Sequence, residues 1–330
     1  MKRRRIAPFA FLLLGLGVQG AAIAQGAADA GHWPAKPIHM IVPFPAGSSP
    51  DLIGRMLNDK LGAALGQPVI VENRPGAGGN IGTALVAAAA PDGQTIGLSI
   101  GGPLAVNKVL YAKLNYDPFV DLAPITLVAS SPNVLVVDAK LGVESLRELI
   151  ELAKAKPGSL NYGSVGNGSA SHLTMELLKS LAGVDIVHVP YPGSPQVNSA
   201  IAGGQIAAAF VVPGTAMPLV QAGRLKAIAV TSARRSPVLP QLPTIAEAGF
   251  PGFQSTAWLG MVAPAKTPAP VIDRLASELS RIIRSDETEK RMQAIYFQAI
   301  GSTPAELAAF MREEVERWGK VIKQTGAKVD

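Results

Sequence analysis

Three times along this chain a strand-like apolar run breaks into a turn of glycine, serine and proline that opens straight into a helix-like segment. The stretches are IHMIVPFPAGSSPDLIGRM (Ile38 to Met56), LNYGSVGNGSASHLTMELL (Leu160 to Leu178) and IVHVPYPGSPQVNSAIAGG (Ile186 to Gly204). Strand, turn and helix repeated in this order are the grammar of an α/β fold with a largely parallel sheet. The turns also carry chemistry. A helix start presents unpaired backbone N–H groups and the positive end of the helix dipole, and small residues let an anion approach them. Three such mouths predict a pocket for a small anionic ligand.

The alternation runs through most of the chain. Strands are predicted at Ile38–Val42, Val69–Glu72 and Thr95–Ile100, with helices at Asp51–Leu65 and around Ile81–Ala89 between them. A second series predicts strands at Val134–Asp138, Leu160–Tyr162, Ile186–Val189, Ile206–Val212 and Leu225–Thr231. Helices at Val143–Ala153, Ser169–Leu181, Ser194–Ala202 and Thr215–Ala222 separate them. Pro237, Pro240, Pro243 and Pro251 mark a loop, after which Trp258–Val262 and helical stretches at Val271–Ile283 and Pro304–Lys323 complete the chain. In the last helix Leu307, Phe310, Val315 and Trp318 predict a packed face, and Glu313, Glu314, Glu316 and Arg317 a solvated one.

The N-terminus indicates where such a pocket works. Lys2 to Arg5 form a basic region, Phe9 to Val18 an apolar one, and Ala22-Ile23-Ala24 fits the small-x-small rule, which describes a secretory signal peptide cleaved after Ala24. The apolar run is too short for a membrane span of about 20 residues. Of the 30 Lys and Arg, the leader takes four and leaves 26 against 24 Asp and Glu. The high pI is therefore mostly a property of the leader, and no basic stripe with interleaved aromatics marks a nucleic-acid surface. With no cysteine there are no disulfides and no thiol chemistry, and the 306 of 330 residues left after cleavage suffice for two lobes without such staples.

PFPAGSSPD, ENRPGAGGNIGT (Glu72 to Thr83), APDGQTI (Ala90 to Ile96), YGSVGNGSASHL (Tyr162 to Leu173), VPYPGS (Val189 to Ser194), GGQIAAAF (Gly203 to Phe210), LPTIAEAGFPGF (Leu242 to Phe253) and WLGMVAPAKTP (Trp258 to Pro268) follow one another in order. Together they resemble the periplasmic substrate-binding proteins of tripartite tricarboxylate transporters, the Bordetella uptake gene group, over essentially the whole mature chain. The resemblance implies a two-lobed periplasmic-binding-protein fold of the Venus-flytrap, type II kind, with two interlobe crossovers: lobe I from residues 25–128 plus 255–330, lobe II from 129–254. It implies a monomeric receptor, without cofactor, that passes a small carboxylate to the membrane components of such a transporter. The ligand class stays open between di- or tricarboxylate, aromatic acid and amino acid, and presentation to a membrane sensor is an alternative role.

By the same resemblance the loop Phe44, Pro45, Ala46, Gly47, Ser48, Ser49 and Asp51 holds a ligand carboxylate through backbone amides and water. Ser48 stands where a second glycine is usual, which narrows the space. Asp51 is more simply a complement to the helix dipole, because a carboxylate beside an anion site repels it. Ser164, Gly166, Asn167, Gly168 and Ser169 form the opposing jaw, and His172, one turn inside that helix, reads as a local packing residue. Ser99 at a strand end and Tyr191, Pro192, Gly193 and Ser194 at the third mouth face the same cleft if strand ends open onto it. Pro213-Gly214-Thr215 is a weaker candidate for the cleft and reads equally as a plain turn.

Catalysis has one candidate. Gly97-Leu98-Ser99-Ile100-Gly101 matches the G-x-S-x-G elbow, the basis for an alternative serine hydrolase using Ser99. Only His172 and His188 follow it, and Pro103 interrupts the helix that should begin there, so the motif is expected to be fortuitous. The Gly76 to Gly82 run has Ile81 where a dinucleotide fingerprint needs its third glycine, and reads as a tight turn. Four histidines without cysteine or an H-E-x-x-H pair offer no metal site.

Overall fold

The computed structural model describes residues 33–236 and 239–326, so the expected leader lies outside the described residues. In chain order the elements are β1 (Ile38–Val42), α1 (Ser49–Leu65), β2 (Val69–Asn73), α2 (Asn80–Ala87), β3 (Thr95–Ile100), α3 (Asn107–Leu110), β4 (Leu122–Pro132), β5 (Val134–Asp138), α4 (Leu146–Ala155) and β6 (Asn161–Ser164). There follow α5 (Ala170–Ala182), β7 (Val187–Pro190), α6 (Ser194–Ala202), β8 (Ala208–Val211), α7 (Pro213–Gln221), β9 (Leu225–Val230), β10 (Thr256–Pro264), α8 (Ala269–Ile283), α9 (Asp286–Ala294), β11 (Gln298–Ala299) and α10 (Pro304–Thr325).

These strands form two sheets, one ordered β11-β4-β10-β3-β1-β2 and the other β7-β6-β8-β5-β9. The βαβαβ start is parallel as the alternation implies, with Ile38 opposite Val69 and His39 opposite Thr95. Parallel pairing does not run throughout. Strand β10 is antiparallel to β3 and β4, and β5 is antiparallel to β8 and β9. A strand covered on both faces by helices should be largely apolar, and β1, buried at every position but the exposed His39, shows why. Ile38, Met40 and Val42 enter the core beneath α1 and α8, whereas Ile41 enters the core beneath α2 and α10. In β5, Leu135 and Val137 face one side and Val134 and Val136 the other.

The two sheets are joined twice. Strand β4 pairs with β10 as far as Pro132 opposite Thr256, and one residue later β5 begins in the second sheet. The return passes from β9 to β10. Thr231 binds both passages together: Asn133 N–H donates to its Oγ1 at 2.8 Å, its N–H donates to the Asn133 carbonyl at 2.9 Å, and its hydroxyl donates to the Ser255 carbonyl at 2.7 Å. Helix α10 opens with a Thr303–Glu306 capping box and also reaches the second sheet's helices, Leu173 of α5 joining the cluster of Leu307 and Trp318. No described helix is long and apolar enough to cross a membrane.

Candidate functional site

The first mouth is a tight turn held from behind. Ser48 N–H closes a turn onto the Pro45 carbonyl at 3.2 Å with Gly47 at φ +77°, a left-handed geometry that favours glycine. Asp51 is 2% exposed. Its Oδ2 accepts the Gly47 N–H at 2.9 Å, and its Oδ1 accepts from Arg55 Nε at 3.0 Å and Asn73 Nδ2 at 2.9 Å. Asn73 donates in turn to the Phe44 carbonyl. Asp51 therefore shapes the loop from inside and is not presented to a ligand. Beyond these bonds, the N–H groups of Ser49 and Asp51 have no acceptor among the described residues, and the buried Ser49 Oγ has no partner.

The second mouth, at α5, spends its side chains on itself. Ser169 caps the helix and its hydroxyl donates to the Gly166 carbonyl at 2.6 Å, while Ser164 Oγ meets His188 Nε2 at 2.6 Å and accepts the Gly166 N–H at 3.1 Å. His172 Nδ1 accepts the Gly168 N–H at 3.2 Å, the local role expected of it. Tyr162, His188 and His172 form a stack with centroid separations of 4.8 and 4.3 Å. Burial, reinforced by nearby Lys179, lowers His172 to about 4. Burial and its neighbour His172 lower His188 to about 3, against the opposing pull of Glu176. Both rings are neutral at physiological pH. The Ala170 and Ser171 N–H groups have no acceptor among the described residues.

Between the mouths lies a cavity of about 60 Å³, room for roughly four to six waters. Ser48, Ser49, Gly168, Ala170, Ser171 and Ser194 line it on the polar side, with the amide of Asn133 from the interlobe passage. Asn133 Nδ2 is buried without an acceptor, its backbone being engaged by Thr231. Around the cavity the jaws touch through glycines. A Cβ on Gly166 would stand 2.5 Å from Gly78 Cα, one on Gly102 2.9 Å from the Gly168 carbonyl oxygen, and one on Gly193 2.8 Å from Pro45 Cγ.

Of the residues singled out in the sequence, Phe44, Ser48, Ser49, Gly168 and Ser194 line the cavity. Pro45, Gly47, Gly166, Asn167 and Gly193 lie where the jaws meet, and Ala46 and Pro192 are exposed on their loops. Asp51, Ser164 and Ser169 are consumed internally, and Tyr191 packs on the core of the second sheet. Ser99 points away from the cavity. It is 1% exposed, and its Oγ lies 3.2 Å from Thr83 Oγ1, with no histidine beside it. Strand alternation turns it inward, while Ile100, Gly101 and Gly102 reach the cavity. Sequence reasoning missed Asn133, Ser171 and the Gly78 contact. The glycine run at 76–79 was the available signal, but it equally describes a plain turn. Glu314, expected on a solvated face, is 5% exposed and accepts the indole N–H of Trp258 at 2.9 Å and of Trp318 at 3.0 Å.

Two α/β lobes, joined twice and meeting over a small cavity with polar helix starts on one side, are the architecture of a periplasmic binding protein. The chain belongs to the tripartite tricarboxylate transporter receptor family, whose family model matches residues 53–327. Protein BugT of Bordetella pertussis is 37% identical over 96% of this chain and 97% of its own length. Among solved structures, R. palustris Rpa4515 with adipate has a TM-score of 0.87 at 34% identity, covering 90% of this chain and 100% of that one. MatC (Rpa3494) from Rhodopseudomonas palustris with bound malate has a TM-score of 0.84 at 32% identity, covering 88% and 100%. The protein is thus a solute-binding receptor of the periplasmic type and not an enzyme.

Proposed function

We propose that this receptor captures a small carboxylate between its lobes and delivers it to the membrane components of a tripartite tricarboxylate-type transporter, acting as a monomer after cleavage at Ala24. The lobes of the proposal, expected as residues 25–128 plus 255–330 and residues 129–254, part at Asn133 and not at 129, because β4 stays paired in the first sheet to Pro132. The observation that carries the reading is the donor set without a cation. Among the described residues Ser49 Oγ and Asn133 Nδ2 are buried and unpartnered, helix-start amides at Ser49, Asp51, Ala170 and Ser171 are unspent, and no Lys, Arg or His lines the cavity. Such donors hold a carboxylate through several moderate hydrogen bonds and none as strong as a bidentate arginine, which suits a receptor that must release its ligand. Carboxylate-bound relatives, one with adipate and one with malate, support the same class.

Isothermal titration with a series of small carboxylates tests the reading. At least one should bind, and Ser49→Ala should weaken it about tenfold, the effect of one hydrogen bond to a charged group. A folded protein that binds none of the series would remove the carboxylate assignment. Copurification with integral membrane partners checks delivery, and an N-terminus at Gln25 in the exported protein checks cleavage.

A further inference from the structure

Much of the cavity wall is apolar. Phe44, Ile100, Val106, Leu173, Phe210 and Leu259 contribute to it, and so do the indoles of Trp258 and Trp318. Among the described residues one charged side chain lines it, and it is negative. Glu314 lines the cavity with its Oε2 bonded to both indole N–H groups and its Oε1 3.4 Å from Arg317 Nη1. Arg317 is itself tied to the Gln254 carbonyl and stacked on Trp318, and it does not line the cavity.

These surroundings treat the two ends of a ligand differently. A first carboxylate has the unspent amides, Ser49 Oγ and Asn133 Nδ2. A second would be desolvated in a space that offers no cation among the described residues and contains a fixed carboxylate, and an unpaired buried charge beside one of like sign is strongly disfavoured. An apolar body instead displaces water from apolar wall, which is favourable. The cavity of about 60 Å³ corresponds to roughly 120–180 Å³ of liquid water, enough for one ring or a short chain carrying a carboxylate.

Building on the carboxylate reading above, we infer that this receptor selects a monocarboxylate with a ring-sized apolar body, and that Glu314 is the specificity-determining residue that turns away a second carboxylate. The Trp258–Glu314–Trp318 constellation thus serves ligand choice as well as the packing of α10.

The test is a titration of the full mature chain with benzoate, hexanoate, adipate, malate and citrate, read by calorimetry and by tryptophan emission. Benzoate or hexanoate should bind at least tenfold more tightly than malate or citrate and should shift the emission of the wall indoles. In Glu314→Gln, which keeps the size and one acceptor of the side chain, that ratio should fall at least threefold. Adipate, malate or citrate binding as tightly as the monocarboxylates would overturn the inference and leave the carboxylate reading standing. Binding of none of the five would overturn both. A folded Glu314→Gln protein with an unchanged ratio would remove Glu314 from the selectivity. If that variant does not fold, the ranking of the five acids by the natural protein still decides the ligand class.

Discussion

At Gly102 and Gly193 a missing side chain lets the jaws meet, and neither residue needs glycine for its own backbone. Gly193 is extended at φ −178°, and Gly102 is not among the residues of positive φ. Alanine at either position should therefore leave each lobe intact while its Cβ, 2.9 Å from the Gly168 oxygen or 2.8 Å from Pro45 Cγ, holds the lobes apart. Overpacking of this size costs about 1–3 kcal/mol, so Gly102→Ala and Gly193→Ala should bind the best carboxylate roughly 5- to 150-fold more weakly with the melting temperature of the free protein preserved. Calorimetry beside thermal melts checks this, and undiminished affinity in both would dispose of the glycine contacts as the closing surface. Gly166 and Gly78 are poorer probes, since φ of +115° and +64° would mix backbone strain with the effect on closure. At this scale the sequence revealed which loops form the mouths but not which of their polar groups are free. Ser164, Ser169 and Asp51 look as suitable for a ligand as Ser49 does, and only the folded loop decides that their bonds are already made.

Helix α5 and strand β7 carry a titratable pair whose effect on stability has a definite sign. His172 and His188, at about 4 and about 3, sit below the ordinary value of 6.5 because burial disfavours the charged ring. Between those values and 6.5 the unfolded chain binds more protons than the folded one. Stability is thus fully present above pH 6.5 and is lost as pH falls toward 4, by up to about 1.4 kcal/mol per histidine for each pH unit crossed. Melting curves from pH 7.5 to 4.5 should show this decline, and His188→Asn should flatten it. An equal slope in that variant would assign the decline to other groups. Legibility varied among elements for physical reasons. The N-cap of α5 was plain from Ser169 and the small residues before it. Strand β4, which links the sheets, was missed because Pro124, Pro132 and its Ser and Thr residues imitate a loop, whereas burial of Ile125, Val128 and Ala129 makes it a strand. Helix α9 escaped notice because, in a charged sequence, it buries only Thr288 and Met292.

In the whole molecule, closure depends on the paired passages between the sheets. Asn133, Thr231 and Ser255 are hydrogen-bonded to one another, and they lie beside the cavity through Asn133 Nδ2. Few connections absorb a large backbone rotation at low cost while each layered core moves as a body, so the lobes should swing about this point. A ligand favours the closed form only by its extra affinity for it, and the donors that give that affinity come from both lobes. In the present structure the glycine surfaces touch, which makes it the closed form, and without ligand the protein should also populate a more open one. The chain has no cysteine, and pairs introduced at the exposed Asp59 on α1 and Ser199 on α6 would carry spin labels without competing thiols. Saturating ligand, verified by calorimetry, should shorten the distance between these labels and lower the radius of gyration in small-angle scattering. Thr231→Val, which removes the hydroxyl binding the two passages, should broaden the label distances of the free protein more than those of the bound one. Identical label distances with and without bound ligand would mean that the cavity is rigid and preformed, and that the double passage is a simple tether.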